Sequence, residues 1–178
     1  MKIRQLRTLS FLFLIGMLTF ELIWTFILIP HFKSITPDGK MIDMMIGYDA
    51  KTINPVLASY GYEGITYYKF LQIIDLFFPL VYSGFLFFSA LFLLRINKIQ
   101  NKIILSYFKT IALLPALFDY FENYFIHRML VGFPNDITHL IPYSNFMTLM
   151  KFIFFCLGFV NLFFLVGRVI QNKLVKFS

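Results

Sequence analysis

Hydrophobic residues dominate four long stretches of the chain, and polar residues gather between them. Each stretch is long enough to cross a bilayer as a helix, which takes about 20 apolar residues. The pattern predicts four membrane-spanning helices over about residues 9–30, 68–94, 103–126 and 146–169. Pro79 and Pro115 lie inside the second and third spans and predict kinks there. The expected fold class is therefore all-α, an integral membrane four-helix bundle in a single transmembrane domain, 1–178.

The first apolar stretch follows three basic residues and in this respect imitates a signal peptide. Its apolar run is too long for one, and no small-residue cleavage site follows, so we expect a retained helix.

A long connection, residues 31–67, separates the first two predicted spans. Asp49 is a suitable N-cap for a short helix from Ala50 to Tyr60, and Gly61 is a stop signal. One face of this helix would be apolar, with Ile53, Val56, Leu57 and Tyr60 at helical spacing. We expect the helix to lie on the membrane surface or over the mouth of the bundle.

Composition supports a lipid environment for most of the 178 residues: 59% are hydrophobic and 14% are charged. A typical soluble domain has about 25% charged residues. The net charge of +7 does not predict a nucleic-acid partner, because the basic residues flank apolar stretches. Phe, Ile, Lys and Asn are abundant, which is typical of proteins encoded by an AT-rich genome and favours a bacterial source.

The distribution of charge predicts the orientation. Ten basic residues lie near the two termini and the turn between spans two and three: Lys2, Arg4, Arg7, Arg95, Lys98, Lys102, Lys109, Arg168, Lys173 and Lys176. The first and third connections carry Asp38, Asp43, Asp49, Glu63 and Asp136. The positive-inside rule then predicts cytoplasmic termini and an external 31–67 connection. Together with the four spans and the composition, this favours a multi-pass protein of a bacterial inner membrane.

Five ionisable residues lie inside the predicted spans, where a charge costs roughly 2.5–3.5 kcal/mol at the bilayer centre. They are Glu21, Asp75, Asp119, Glu122 and Lys151. With a rise of about 1.5 Å per residue, all five fall into one band in the outer half of the bilayer.

Asp119, Glu122 and Asn123 are spaced to share one helix face. With Asp75 and Lys151 turned inward, they would form a polar chamber open to the external side. Four carboxyl groups cannot all pair with one lysine, so some are protonated, hydrated or available to a cationic partner. The candidate ligand-binding residues are Asp75, Asp119, Glu122, Asn123, Lys151, Glu21 and Tyr82. In the alternative interpretation they only hold helices together, at around 0.6 kcal/mol per intramembrane hydrogen bond.

No motif identifies a reaction. Phosphate loops, dinucleotide fingerprints, nucleophile elbows and zincin helices are absent from the sequence. The single Cys156 has no neighbouring base, and no His/Cys spacing suggests a metal site, so neither a metal nor a cofactor is expected. We expect the Phe residues of the fourth span to face lipid. No pattern defines an oligomeric state.

Several of these residues carry a resemblance to a family of uncharacterised four-helix bacterial membrane proteins. The matching features are Gly47-Tyr48, Gly61, Glu63-Gly64, Tyr68, Asp75, Phe78-Pro79, Tyr82, Pro115, the string Asp119-Tyr120-Phe121-Glu122-Asn123, Met129-Leu130, Pro134, Thr148 and Lys151. The resemblance implies the topology and no activity. In layout the chain is also similar to the sterol-isomerase and sigma-2-receptor group, which implies buried acids beside a proline in a lipid-accessible cavity.

Four functional hypotheses follow. The first is binding of a small amphipathic or lipidic ligand, with the acids holding a polar or cationic head. The second is an enzyme that acts on a lipid or isoprenoid substrate by carboxylate acid/base chemistry, with Asp119 and Glu122 as the expected pair. The third is a structural or assembly subunit that binds no ligand and has membrane lipids around it. Ion translocation is disfavoured, because the inner halves of the spans offer few polar residues.

Overall fold

The computed structural model describes residues 1–37 and 39–175, so Asp38 and Lys176 lie outside the described residues. Six α-helices form this part of the chain: α1 (Ile3–Ile23), α2 (Ile29–Ile35), α3 (Ala50–Asp75), α4 (Phe78–Ile96), α5 (Lys102–Gly132) and α6 (Ile141–Leu174). A π-helical turn, Trp24–Leu28, joins α1 to α2, and short 3₁₀ turns cover Ile42–Met44 and Thr138–Leu140.

Four helical segments are long and apolar enough to cross a membrane: Ile3–Ile35, Ala50–Ile96, Lys102–Gly132 and Thr138–Leu174. Each predicted span lies inside one of them. The all-α, four-helix bundle class is thereby confirmed.

The helix α4 lies at the centre of the bundle, in contact with α1, α5 and α6, and α5 also packs along α6. Glycines allow α1 to approach α4 closely. A Cβ atom on Gly84 would lie 2.4 Å from a ring carbon of Phe13, and one on Gly16 would lie 3.2 Å from Val81. Most side chains of α1 are at least partly exposed on the surface of the bundle, and Leu6 is the one buried residue of this helix. Such exposure is expected for an apolar helix that faces lipid.

We name the two ends of the bundle by what they carry. The terminal end carries the start of α1, the turn between α4 and α5 and the end of α6. The loop end carries α2, the first half of α3 and the connection between α5 and α6.

The second predicted span is broken beside Pro79, the second residue of α4, which has no N–H to donate. The helix α3 ends at Asp75, and α4 begins at Phe78. The Leu76 carbonyl at this break accepts a hydrogen bond of 3.0 Å from the Tyr120 hydroxyl. A side chain from α5 therefore supplies a donor where the proline interrupts the helix.

The predicted helix over 50–60 is present, with Asp49 Oδ1 accepting its N-cap hydrogen bond from the Thr52 N–H at 2.9 Å. Gly61 has φ 60° and ψ −170°, a conformation open essentially to glycine. The first helical segment of α3 therefore stops at Gly61, as predicted, and a second helical segment begins directly after this kink and runs to Asp75.

The predicted apolar face of this first half of α3 is buried: Ile53, Val56, Leu57 and Tyr60 are all at most 4% exposed. It packs in a core cluster with Phe32, Ile42, Ile126, Met129 and Leu130. The segment thus covers the loop end of the bundle, which is the second of the two placements expected for it.

Candidate functional site

A cavity of about 220 Å³ lies in the loop-end half of the bundle. It is bounded by α1 and the π-helical turn after it, by the end of α3, by α4, α5 and α6, and by the turn Ile42–Met44. Its walls combine acidic, basic and aromatic side chains, with one methionine: Phe20, Glu21, Trp24, Asp43, Met44, Asp75, Phe78, Tyr82, Asp119, Lys151, Phe152 and Phe155. Four carboxyl groups thus line the space beside one ammonium group. We call this space the acidic cavity.

Lys151 is the cation of the acidic cavity, and its side chain is 15% exposed. Its Nζ lies 3.6 Å from Asp119 Oδ1 and also pairs with Glu122 Oε2. On the other side of the aspartate, the Tyr82 hydroxyl donates a hydrogen bond of 2.9 Å to Oδ2. Lys151 therefore joins α6 to two carboxyl groups of α5, and Tyr82 attaches α4 to the same cluster.

Glu122 is fully buried, with a side-chain exposure of 0%. Its Oε1 accepts a hydrogen bond of 2.5 Å from the Thr148 hydroxyl, and its Oε2 has Lys151 as its partner. Glu122 does not line the acidic cavity. A ligand in that space would meet Asp119 and not Glu122, so the two carboxyl groups have different positions although they share one helix face.

Asp75 lines the acidic cavity at the break between α3 and α4. The Asn123 amide donates a hydrogen bond of 2.7 Å to its Oδ2, and no described residue donates to its Oδ1. Gln72 Nε2 donates to the Asn123 carbonyl at 3.2 Å, and Gln72 Oε1 lies 3.2 Å from His127 Nδ1. Asp75 is thus held by one amide and keeps an oxygen available to the cavity.

Asp43 was expected only as an acid of the external connection, and the structure places it on the wall of the acidic cavity. The buried Tyr68 holds it there: the Tyr68 hydroxyl donates to Asp43 Oδ1 at 2.5 Å and accepts from the Asp43 N–H at 3.2 Å. The neighbouring Tyr48 hydroxyl donates to Ser144 Oγ at 2.7 Å and so ties the same connection to α6. Burial raises the pKa of Tyr48 to about 12, so this hydroxyl stays protonated near neutral pH.

Aromatic rings form the rest of the wall. Phe20 stacks on Phe78 with ring centroids 4.4 Å apart, and on Trp24 at 5.6 Å. Tyr82 meets Phe155 edge-on at 5.2 Å. The expectation that the Phe residues of the fourth span only face lipid is wrong for Phe152 and Phe155, which line the acidic cavity.

The structure brings most of the candidate residues together. Four of them line the acidic cavity: Asp75, Asp119, Lys151 and Tyr82. Two others contact lining residues, since Asn123 donates a hydrogen bond to Asp75 and Glu122 pairs with Lys151. Glu21 also lines the acidic cavity but is exposed and has no ion pair or hydrogen-bonding partner among the described residues. Residues that the sequence analysis did not select for the site are Asp43, Tyr68, Gln72, Ser144 and Thr148. Among the described residues, no group of three or more His, Cys, Asp or Glu side chains has the arrangement of a metal site.

These features define the class: a multi-pass membrane protein with a mixed acidic and aromatic cavity between its helices. Compared with protein-family models, curated proteins and solved structures, the chain shows no match. The resemblances drawn from the sequence therefore stay hypotheses, and the function has to be argued from the cavity itself.

Proposed function

We propose that the protein binds a small amphipathic ligand, with a cationic head in the acidic cavity and an apolar tail between the helices. The observation that carries this proposal is the charge of the wall. Four carboxyl groups face the space beside one ammonium group, and that ammonium pairs with Asp119 and with Glu122 behind the wall. A cation entering the cavity would find carboxyl oxygens that the protein leaves without a counter-charge.

Asp75 is the carboxyl group best placed to meet such a head. Its Oδ1 is free of hydrogen bonds from the described residues, and Lys151 does not pair with it. Aromatic faces attract cations within about 6 Å of the ring centroid, and tryptophan does so most strongly. Trp24 and Phe78 line the same cavity and are the candidates for such a contact.

The size of the cavity favours a head group over a whole drug-sized molecule. Its volume is about 220 Å³. Pockets that enclose drug-sized ligands usually measure about 300–1,000 Å³. The rest of an amphipathic ligand would have to lie outside the acidic cavity.

A second, apolar cavity of about 410 Å³ offers room for the tail. Like the acidic cavity, it lies between α1 and α6 against α4, but it is nearer to the terminal end. The residues that line it are Ser10, Phe85, Ser89, Phe92, Leu93, Phe159, Leu162, Phe163 and Val166. Phe159 packs on Phe155 at 5.0 Å and on Phe85 at 6.1 Å, so aromatic rings connect the two walls. From Phe78 to Leu93 the two cavities follow α4 for about 22 Å.

We propose the orientation that the charges favour. The terminal end, with its basic residues, would lie in the cytoplasm, and the loop end outside. The acidic cavity would then open toward the outer leaflet of a bacterial inner membrane. A cysteine accessibility assay that modified the N-terminus from outside intact cells would contradict this orientation.

Trp24, the only tryptophan in the sequence, lines the acidic cavity and provides the test. Purified protein in a nonionic detergent is titrated with decylamine, decanol and decanoate while Trp24 fluorescence is recorded. A hydrogen bond to a charged group contributes about 1.5–3 kcal/mol, so decylamine should bind about tenfold to hundredfold more tightly than decanol. Equal responses to all three compounds, or none, would contradict the proposal.

Lipid or isoprenoid turnover by acid/base chemistry is a second candidate, favoured by the carboxyl groups that line the acidic cavity. In this geometry the pair is Asp75 and Asp119, because the fully buried Glu122 does not reach the cavity. Incubation of the purified protein with a membrane lipid extract would test it. Product formation that is lost in Asp119→Asn would favour the enzyme over a binding protein.

A further inference from the structure

A separate cavity at the terminal end has a different chemistry. Its volume is about 460 Å³, and α1, α4, α5 and the turn between α4 and α5 surround it. Arg95 and Lys109 supply its charge, Leu91 and Leu105 supply apolar wall, and Gln100 adds an amide. We call it the basic cavity.

The cations of the basic cavity have no counter-charge in the protein. Neither Arg95 nor Lys109 forms an ion pair or a side-chain hydrogen bond within residues 1–37 and 39–175. On α5 the nearest acid is Asp119, about 15 Å along the helix from Lys109. No Asp or Glu occurs among residues 1–20 or 76–118, which include every residue that lines this cavity.

Lys109 lies about 10 Å from the start of α5, inside the predicted third span. Lysines at such depth extend their stems along apolar surface toward the water interface. The basic cavity offers that route, with Leu105 one turn nearer to the end of the helix and Arg95 beside it. With the Lys109 stem extended in this way, the two cations would lie close to the level where phospholipid phosphates meet the hydrocarbon core.

We propose that the basic cavity binds the phosphate of an anionic phospholipid. Arg95 and Lys109 would contact the phosphate oxygens, and Gln100 would donate a further hydrogen bond. The acyl chains would pass along Leu91 and Leu105, which are only partly buried. The apolar wall is the reason to choose a lipid over a free phosphate ion, since an inorganic ion would leave that wall without a partner. The inference is independent of the ligand of the acidic cavity.

The test compares two double variants with the same change in net charge at the same end. Arg95→Gln, Lys109→Gln removes the cations of the basic cavity. Arg168→Gln, Lys173→Gln removes two cations of α6 that do not line it. Native mass spectrometry then measures binding of short-chain phosphatidylglycerol and phosphatidylcholine to the full chain in detergent, and thermal unfolding without added lipid shows that each variant is folded.

Each cationic side chain near the membrane surface contributes about fivefold to the binding of an anionic lipid. The wild type and the α6 variant should therefore prefer phosphatidylglycerol, and the cavity variant should lose about twentyfold to thirtyfold of its affinity for it. An equal loss in both variants would overturn the inference, because diffuse attraction would then explain binding. Displacement of phosphatidylglycerol by millimolar inorganic phosphate would overturn the choice of a lipid.

If the cavity variant does not fold, the single variants Lys109→Gln and Lys173→Gln replace the pairs in the same comparison. The expected difference between them is about fivefold.

Discussion

Replacing Lys151 by methionine tests the charge cluster most severely. The change keeps a long apolar stem but removes the ammonium that pairs with Asp119 and with the fully buried Glu122. Within the described residues, only the hydroxyls of Tyr82 and Thr148 would then still bond to these two carboxyl groups. Removal of one partner from a buried ion pair costs about 3–5 kcal/mol, because a buried charge is left without compensation.

The same structure predicts a rescue. In the triple variant Asp119→Asn, Glu122→Gln, Lys151→Met no charge of the cluster remains, and replacement of a whole buried ion pair by neutral groups is often neutral or stabilising. We expect the triple variant to recover most of the stability that the single variant loses. Recovery would show that the loss in Lys151→Met comes from uncompensated charge and not from altered packing.

The assay is thermal unfolding in a mild nonionic detergent, followed by circular dichroism. For a chain of this size, about 1 kcal/mol shifts Tm by about 2–4 °C, so Lys151→Met should lower Tm by about 6–20 °C. A Tm for Lys151→Met within about 2 °C of the wild type would refute the reasoning. Equal Tm values for the single and triple variants, both far below the wild type, would refute the rescue.

Three further predictions concern the segments that build the site. Gly61→Ala should cost about 1–3 kcal/mol of stability through backbone strain alone, since the added Cβ would meet no other group within 4 Å. The control Gly167→Ala, equally free of contacts but inside α6 with an ordinary φ, should instead stabilise the protein by up to about 1 kcal/mol in thermal unfolding. Hydrogen bonds from the hydroxyl and the N–H of Thr52 lower the pKa of Asp49. The ionised Asp49 cap should therefore stabilise α3 fully at a pH above the ordinary Asp pKa of about 3.9, and this stabilisation should be lost as the pH falls through the lowered pKa of the folded state. Hydrogen exchange should show that loss of protection in the first turn of α3, and Asp49→Asn should remove the pH dependence while keeping the cap. Thr148→Val should cost about 1–3 kcal/mol in thermal unfolding, because a buried carboxyl oxygen loses its donor, and an unchanged Tm would contradict that hydrogen bond.

Much of the fold could be predicted from local patterns. Apolar length predicted the four spans, Asp49 predicted the start of a helix, and the spacing of Ile53, Val56, Leu57 and Tyr60 predicted the face that is buried. The break beside Pro79 was predicted as a kink inside a span and is sharper, with two separate helices. Such patterns act over one or two helical turns, and the sequence displays them directly.

Parts of the site could not be predicted, because they depend on contacts between distant segments. The i, i+3, i+4 spacing placed Asp119, Glu122 and Asn123 on one face, but only the packing of α6 against α5 decides that Lys151 pairs with the first two. Asp43 reaches the cavity because Tyr68, 25 residues away, holds its turn. Nothing in the local sequence around Asp43 signals that contact.

The central claim is that an acidic cavity receives a cationic head, and Asp75 tests it most directly. Binding of decylamine, measured by Trp24 fluorescence, is compared between Asp75→Asn and the matched control Asp136→Asn, whose site is exposed and outside the cavity. The account predicts that Asp75→Asn weakens decylamine binding by about tenfold or more and leaves decanol binding unchanged. The control Asp136→Asn should bind both compounds as the wild type does. Unchanged decylamine binding in Asp75→Asn, with a wild-type Tm, would contradict the claim.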